Sequence, residues 1–487
     1  MNGRTPGVHP SKMARVKPVP AANLIVQLQS ETSERAGPQL DVPQNITPAQ
    51  LEILLNGLLT QEDGDKLPYS FHIQDMPLLG ELGAHLQAHK VSVETVVQVV
   101  FQPQAVFRVR PLTRCTASLP GHKEAVLCVA FSPCGRHLAS GSGDTTMRLW
   151  DLGTNMPAHT CTAHRAWVLC VVWAPDSNLI ASGDMNGLIW LWKPDSNDPV
   201  GCCKGHTKWI TSIAWEPAHK ALPSRRFVSG SKDASIRIWD ANTRRCTLTM
   251  SSHSMAISCV RWGGEDLLYS ASRDCVINVW HAQDGHLVRT LKGHGHWVNT
   301  LALSTEHALR SGAFDHHGNA PKAAKEAQQT ALERWQEACR GQPERLASGS
   351  DDFTMYLWEA STSSKPLGRM TGHVQLINQV QFSPDGRWIA TASFDKAVKL
   401  WDGVKGSFVG TLRCHVGPVY QLAWSSDSRL VVSASKDSTL KVWDAASRKL
   451  KEDLPGHADE VFCVDWSPTG GAAASGGKDC VLRLWKH

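Results

Sequence analysis

The sequence predicts a mainly β protein, an eight-bladed β-propeller preceded by a small α+β domain. Four recurring positions carry the propeller reading. Histidines recur at His122, His164, His206, His253, His294, His373, His415 and His457, spaced by 42, 42, 47, 41, 79, 42 and 42 residues. Each is followed by a tryptophan that closes its unit: Trp150, Trp192, Trp239, Trp280, Trp358, Trp401, Trp443 and Trp485. Six residues before each tryptophan stands Asp144, Asn186, Asp233, Asp274, Asp352, Asp395, Asp437 or Asp479. Four residues before each of those is a hydroxyl, on Ser140, Ser182, Ser229, Ser270, Ser348, Thr391, Ser433 or Ser475. One such unit cannot bury both faces of its own sheet, so the units must stack to be stable.

The unit from Gly372 to Asp402 shows the pattern most plainly. Apolar residues alternate through Gln379-Val380-Gln381-Phe382, and a turn falls at Ser383-Pro384-Asp385-Gly386. Alternation resumes from Trp388 to Ser393, and a second turn at Phe394-Asp395-Lys396 leads to Trp401. Short alternating runs bounded by such residues read as hairpin strands. Within a unit the carboxylate can accept from the histidine ring, the ring can reach the hydroxyl, and the hydroxyl can reach the indole N–H, satisfying four polar groups inside one sheet. Ser, His and Asp together also suggest a hydrolase triad. A triad occurs once and needs a cleft, whereas this set recurs in every unit beside a core tryptophan. His122, Ser140, Asp144 and Trp150, like His373, Thr391, Asp395 and Trp401, are therefore read as structural. The period near 42, with Gly-His at one end and Trp-Asp at the other, resembles the WD-repeat family of four-stranded propeller blades, and the resemblance runs from about residue 112 to 487.

Ahead of the repeats, residues 1–21 carry Arg4, Lys12, Arg15 and Lys17 among Pro and Gly, with no acidic residue and no hydrophobic period, the composition of a disordered leader. From 22 to 110 the pattern changes. Leu24 to Leu28 and Gln39 to Val42 read as strands, and Thr47-Pro48 opens a helix with Thr as N-cap and Pro at its first position. Leu51, Leu54, Leu55, Leu58 and Leu59 form one apolar stripe along it. Tyr69 to Ile73 reads as a strand, Leu78 to Leu86 as a short helical piece and Val93 to Phe101 as a last strand. That order is the order of a ubiquitin-like β-grasp domain.

The propeller is expected over 111–487. Its eighth unit ends with the chain and lacks a fourth strand, while Thr113 to Leu119 stands just before Gly121-His122 and can supply it, which would close the ring and remove two open edges. Two units are irregular. The second has Ala163 and Asn186 where others have Gly and Asp, and an amide accepts more weakly than a carboxylate. The fifth is stretched to 79 residues by an insertion at about 311–344 in which Lys322 to Arg340 looks helical, with Ala327, Ala331, Trp335 and Ala338 on one side. That helix either holds a partner or folds back on the propeller, and the cost of leaving Trp335 exposed favours the second.

Composition narrows the function. Fourteen cysteines occur with no Cys-x-x-Cys and no metal-ligand spacing, which reads as reduced thiols in an intracellular chain with no metal site of its own. No apolar run approaches membrane-span length, and no nucleophile elbow or phosphate-binding loop occurs, so no enzymatic activity is expected. The formal net charge is +5, and residues 1–110 hold nine basic against ten acidic side chains, so the surplus is spread thinly over the repeats. This suits contact with RNA inside an assembly and falls short of a dedicated nucleic-acid binder. Loops after the histidines place Arg165 with Trp167, Lys208 with Trp209, and His296 with Trp297 on one rim, either as partner anchors or as covers over the blade ends.

Further stretches go beyond the generic repeat: Lys208-Trp209-Ile210-Thr211-Ser212 with Trp215-Glu216-Pro217, Gly293 to Asn299 leading to Gly312-Ala313-Phe314-Asp315, Arg369 to His373, Asp453 to His457, and Gln102 to Val109. These are similar to the Notchless family. The resemblance implies a nucleolar and nuclear assembly factor of the large ribosomal subunit, monomeric within the assembly, whose propeller docks on pre-ribosomal proteins and ribosomal RNA. It also implies that the ubiquitin-like domain offers a carboxylate to a divalent ion, of the Mg²⁺ class, held by the AAA-type ATPase midasin. Glu94, in Val91-Ser92-Val93-Glu94-Thr95, matches the family's acidic residue, with Asp75 and Glu81 as the fallbacks. The alternative expectation is a substrate receptor of a ubiquitin ligase, since propellers with ubiquitin-related domains also serve there.

Overall fold

The computed structural model describes residues 23–30, 36–59, 69–73, 76–78, 80–89, 96–103 and 107–487, so the expected leader, Glu94 and Asp75 lie outside the described residues. The chain divides into two compact units at Phe107 and Arg108.

In the first unit β1 (Asn23–Ser30), β2 (Leu40–Pro43), α1 (Pro48–Leu58), β3 (Tyr69–Ile73), β4 (Met76–Pro77), α2 (Leu82–Ala88) and β5 (Val97–Pro103) follow in order. The sheet order is β2-β1-β5-β3-β4, with β1 and β5 parallel at its centre and the other pairs antiparallel. That is the β-grasp topology. Thr47 precedes α1, Pro48 sits at its first turn, and the Gln50 side chain accepts from the Thr47 N–H at 3.0 Å, closing the helix start. The apolar stripe is narrower than its sequence spacing suggests: Leu51 and Leu55 are buried, whereas Leu54 and Leu58 are exposed. Leu58 instead covers Gly37, whose positive φ leaves room for no side chain there. The second helix starts four residues later than the spacing suggests, because Leu78 is buried in a loop and only Leu82 and Leu86 pack from α2.

The second unit contains eight four-stranded antiparallel sheets. Their innermost strands, Val126–Phe131, Val168–Trp173, Ile210–Trp215, Ile257–Trp262, Val298–Leu303, Ile377–Phe382, Val419–Trp424 and Val461–Trp466, each abut the next, and the eighth abuts the first. The result is a closed ring, numbered here as blades 1 to 8. The strand expected from Thr113 to Leu119 is present as β6 (Arg114–Leu119). It pairs antiparallel with Leu482–Lys486, from Leu119 opposite Leu482 to Arg114 opposite Lys486, and Thr113 N–H extends the ladder to the Lys486 carbonyl at 3.0 Å. Just upstream, Val109 and Leu112 are buried among residues of blades 7 and 8, and the Val109 N–H donates to Asp427 at 2.8 Å. The first and last segments of the ring thus share one sheet.

Blade-to-blade seams are satisfied by side chains as well as by apolar packing. The Trp173 indole donates to the Ala130 carbonyl at 2.9 Å, Gln379 accepts from the Leu422 N–H at 2.6 Å, Gln421 from the Val464 N–H at 2.9 Å, and Asp465 from the Phe131 N–H at 2.8 Å across the closing seam. Deleting residues 106–119 leaves blade 8 with three strands and exposes two edges, so the propeller is expected to lose its cooperative melting transition. Thermal unfolding followed by circular dichroism checks this, and a melting curve unchanged from the full chain contradicts it.

Candidate functional site

The eight repeated polar sets sit inside the blades. In blade 1 His122 Nδ1 lies 2.9 Å from Asp144, His122 Nε2 lies 2.8 Å from Ser140 Oγ, and the Trp150 indole N–H donates to the same hydroxyl at 3.0 Å. In blade 6 His373, Asp395, Thr391 and Trp401 repeat the chain at 2.7, 2.7 and 3.1 Å. Burial pushes the His122, His206 and His457 rings below the usual imidazole range, although the facing carboxylate opposes it. Burial also resists ionisation of Asp144 and Asp233, but hydrogen bonds from a neighbouring hydroxyl, from backbone N–H groups and from the histidine bring both down to about 2. The stable state is a neutral ring donating from Nδ1 to a carboxylate and accepting at Nε2 from a hydroxyl. The eight histidine side chains are at most 1 % exposed, so none of the sets faces a substrate.

Blade 2 corrects the sequence expectation. Its carboxylate comes from Asp184, which lies 2.9 Å from His164 Nδ1, while Asn186 is held by its backbone N–H donating to Asp184 at 2.9 Å. Asp184 is fully buried and sits two residues upstream, where six other blades carry serine. A short turn lets a carboxylate from either position reach the same ring nitrogen.

The propeller has two unlike mouths. Where the inner strands end, the insertion lies across the opening. It forms α3 (Glu306–Ser311) and α4 (Ala324–Cys339), so helix begins before the expected 311–344 segment. Arg310 reaches from α3 to Asp465 of blade 8 at 2.8 Å and to the Phe131 carbonyl of blade 1 at 3.3 Å, and Glu306 pairs with Arg261 of blade 4 at 2.9 Å. α4 folds back: Ala327 and Ala331 are buried, the Gln328 side chain donates to the His219 carbonyl at 2.9 Å, and Trp335 stacks on the His219 ring at 5.0 Å. Behind it Glu344 is buried and accepts from Thr305 and from the Gly264 N–H. Burial, only partly offset by those bonds, raises its carboxyl to about 7.

The other mouth, where the inner strands begin, carries the rim residues singled out from the sequence. Trp167 and Trp209 are 49 % and 38 % exposed, Arg165, Lys208 and His296 are exposed, and Trp297 is half-buried. Two cations that the sequence reading missed complete the arc. Lys232 lies 3.4 Å from the Trp209 ring centre, and Arg273 lies 4.4 Å from that of Trp297. Each directly precedes the turn aspartate of its blade, so a basic residue at that turn position was the available signal. His296 faces Asp351 at 3.6 Å. Lys232, Arg273, Trp297, Asn299, Asp351 and Phe394 line a cavity of about 380 Å³ at this mouth. Farther round, the Phe394, Tyr420 and Phe462 rings form a row at 5.7 Å spacings. Aromatic groups beside cations recognise extended polar partners by stacking and charge together. In the first unit Glu81 is exposed at the start of α2.

The WD domain, G-beta repeat, matches residues 113–151, 155–193, 197–240, 244–281, 364–402, 406–444 and 448–486. These seven spans omit the inner three strands of blade 5, the blade interrupted by the insertion. The NLE (NUC135) domain matches residues 24–86. A Notchless protein homolog of Arabidopsis thaliana is 55 % identical over 378 residues, 77 % of this chain and 79 % of that protein. The chain belongs to the Notchless family of WD-repeat ribosome-assembly factors. Protein Notchless of Drosophila melanogaster is 49 % identical over 74 % of each chain, and a Saccharomyces cerevisiae protein named Ribosome assembly protein 4 is 46 % identical over 80 % of this chain and 79 % of its own. Among solved structures, the computationally designed Ika8 protein covers 77 % of this chain and all of its own at a TM-score of 0.61 and 23 % identity, a likeness of fold alone.

The Glu344 carboxyl gives a pH test of the sealed mouth. Its folded pKa is raised above the ordinary value, so its contribution to stability is complete below about 4.5 and is lost as pH rises through about 7. Glu344→Gln is therefore expected to stabilise the chain by on the order of 2–3 kcal/mol at pH 8 and by little at pH 4.5. Urea unfolding at the two pH values checks this, and an equal effect at both contradicts it.

Proposed function

We propose that this chain is a non-catalytic assembly factor of the large ribosomal subunit, working in the nucleolus and nucleus. The observation that carries the reading is likeness to Ribosome assembly protein 4 along about four fifths of both chains. The form of the molecule supports it. A closed ring with its polar sets buried presents surfaces, and with α3 across one mouth the aromatic and cationic rim of the other is the face on which Arg165, Trp167, Lys208, Trp209, His296 and Trp297 meet precursor proteins and ribosomal RNA. A thin basic surplus suits a component held among many partners better than a lone RNA binder.

The ubiquitin-like domain is the handle in this proposal. Glu94 gives a carboxylate oxygen to a divalent ion, of the Mg²⁺ class, held by midasin, because a hard ion with an open position takes a hard anionic oxygen. ATP hydrolysis belongs to that partner, and this chain passes its pull from handle to ring.

On sucrose gradients the tagged chain is expected to sediment with large-subunit precursors. A profile confined to the top of the gradient, or one that follows ubiquitin-ligase subunits, contradicts the proposal. Glu94→Ala is expected to abolish EDTA-sensitive capture of midasin while leaving sedimentation with precursors intact, and undiminished capture would remove Glu94 from that role. Combining Trp167→Ala with Trp209→Ala is expected to weaken precursor binding by about tenfold or more at an unchanged urea midpoint.

A further inference from the structure

The turn between the third and fourth strands of blade 4 departs from its counterparts. In blades 1, 3, 6 and 7 the residue after the closing tryptophan is Asp151, Asp240, Asp402 or Asp444. Each caps its own turn by accepting backbone N–H groups, from Gly153 at 3.0 Å, Asn242 at 2.9 Å, Val404 at 2.8 Å and Ser447 at 2.9 Å. Blade 4 has His281 there, followed by Asp284 and His286. Its turn is closed by His281 N–H to the His286 carbonyl at 3.0 Å and Gly285 N–H to the His281 carbonyl at 2.9 Å, with a longer bond from the His286 N–H to the Asp284 carboxylate at 3.3 Å. The two imidazoles bond only the Asp284 carboxylate and no backbone group of the turn.

The three side chains converge on one point. His281 Nδ1 and His286 Nδ1 lie 3.1 and 2.7 Å from the same Asp284 oxygen, the two rings stack at 5.3 Å, and all three donor atoms fall within 4.8 Å of one another. Donors bound tetrahedrally to zinc at about 2.0–2.2 Å stand roughly 3.3 Å apart, so this cluster needs only a small opening to admit an ion. We propose that His281, Asp284 and His286 form a binding site for a divalent transition-metal ion of the zinc class. Two imidazole nitrogens and one carboxylate select zinc or its neighbours over magnesium or calcium, which favour oxygen. Each ring binds through Nδ1 and carries its proton on Nε2, so the ion replaces the two hydrogen bonds to Asp284. Three protein ligands leave a fourth position for water or a donor from a docked molecule, and the half-exposed site keeps that position accessible.

Calorimetric titration of the metal-stripped full chain with zinc chloride tests this, with His281→Asn and His286→Gln alongside the native protein. His281→Asn puts a turn-capping side chain where four other blades carry Asp, without a carboxylate that could itself hold zinc, so its metal-free urea midpoint is expected to match the native one. Each variant should bind one zinc equivalent fewer than the native chain, or bind that equivalent at least tenfold more weakly, with thiol-bound zinc unaffected. Zinc should raise the thermal midpoint of the native chain more than that of either variant. Equal stoichiometry and affinity in all three proteins would overturn the site, as would no zinc binding by the native chain beyond that of its thiols.

Discussion

The bond between a buried imidazole and a carboxylate is what the ring depends on. In every blade it fixes the tautomer that lets the far ring nitrogen accept from a hydroxyl, which in turn accepts from the tryptophan indole. One polar chain therefore ties the loop entering the blade to its second and third strands. Each group would be costly to bury alone, and together they are satisfied. Because the chain recurs eight times, the blades have nearly equal geometry, and equal blades can close.

Closure converts eight weak sheets into one cooperative body. A four-stranded antiparallel sheet leaves two edges and two faces open, and stacking covers the faces. Pairing β6 with Leu482–Lys486 makes the chain's two distant segments partners in one sheet, so that blade cannot open without separating them. The insertion gives the ring its polarity: Arg310 and Glu306 lock α3 over one mouth, leaving the other, with its tryptophans and stacked cations, as the face open to partners.

Much of this was legible in the sequence because the repeat is strict. The blade number, the closing strand and the polar sets follow from spacing, since each depends on residue type at fixed offsets. What escaped depends on three-dimensional proximity. Asp184 replaces Asn186 because two positions in one turn reach the same nitrogen, and a pattern keyed to one position cannot see the other. Lys232 comes from the turn beside Trp209 in its own blade, and Arg273 comes from the blade before that of Trp297. Leu54 and Leu58 of α1 lie on the expected stripe yet remain exposed, while Leu51 and Leu55 are the helix residues buried in the core. The path of α3 across the mouth rests on Arg310 reaching Asp465, 155 positions away, and on Glu306 pairing with Arg261 of another blade, which no local pattern records.

Blade 2 offers the most direct test of the central interaction, because it holds the carboxylate in a shifted position. Asp184→Ser alone removes the acceptor from His164. The double change Asp184→Ser with Asn186→Asp restores the arrangement of the other blades. Measured by urea unfolding at neutral pH, the single variant is predicted to lose about 2–3 kcal/mol and the double variant to recover most of it. A single variant as stable as the native chain, or a double variant as weak as the single one, would contradict the account.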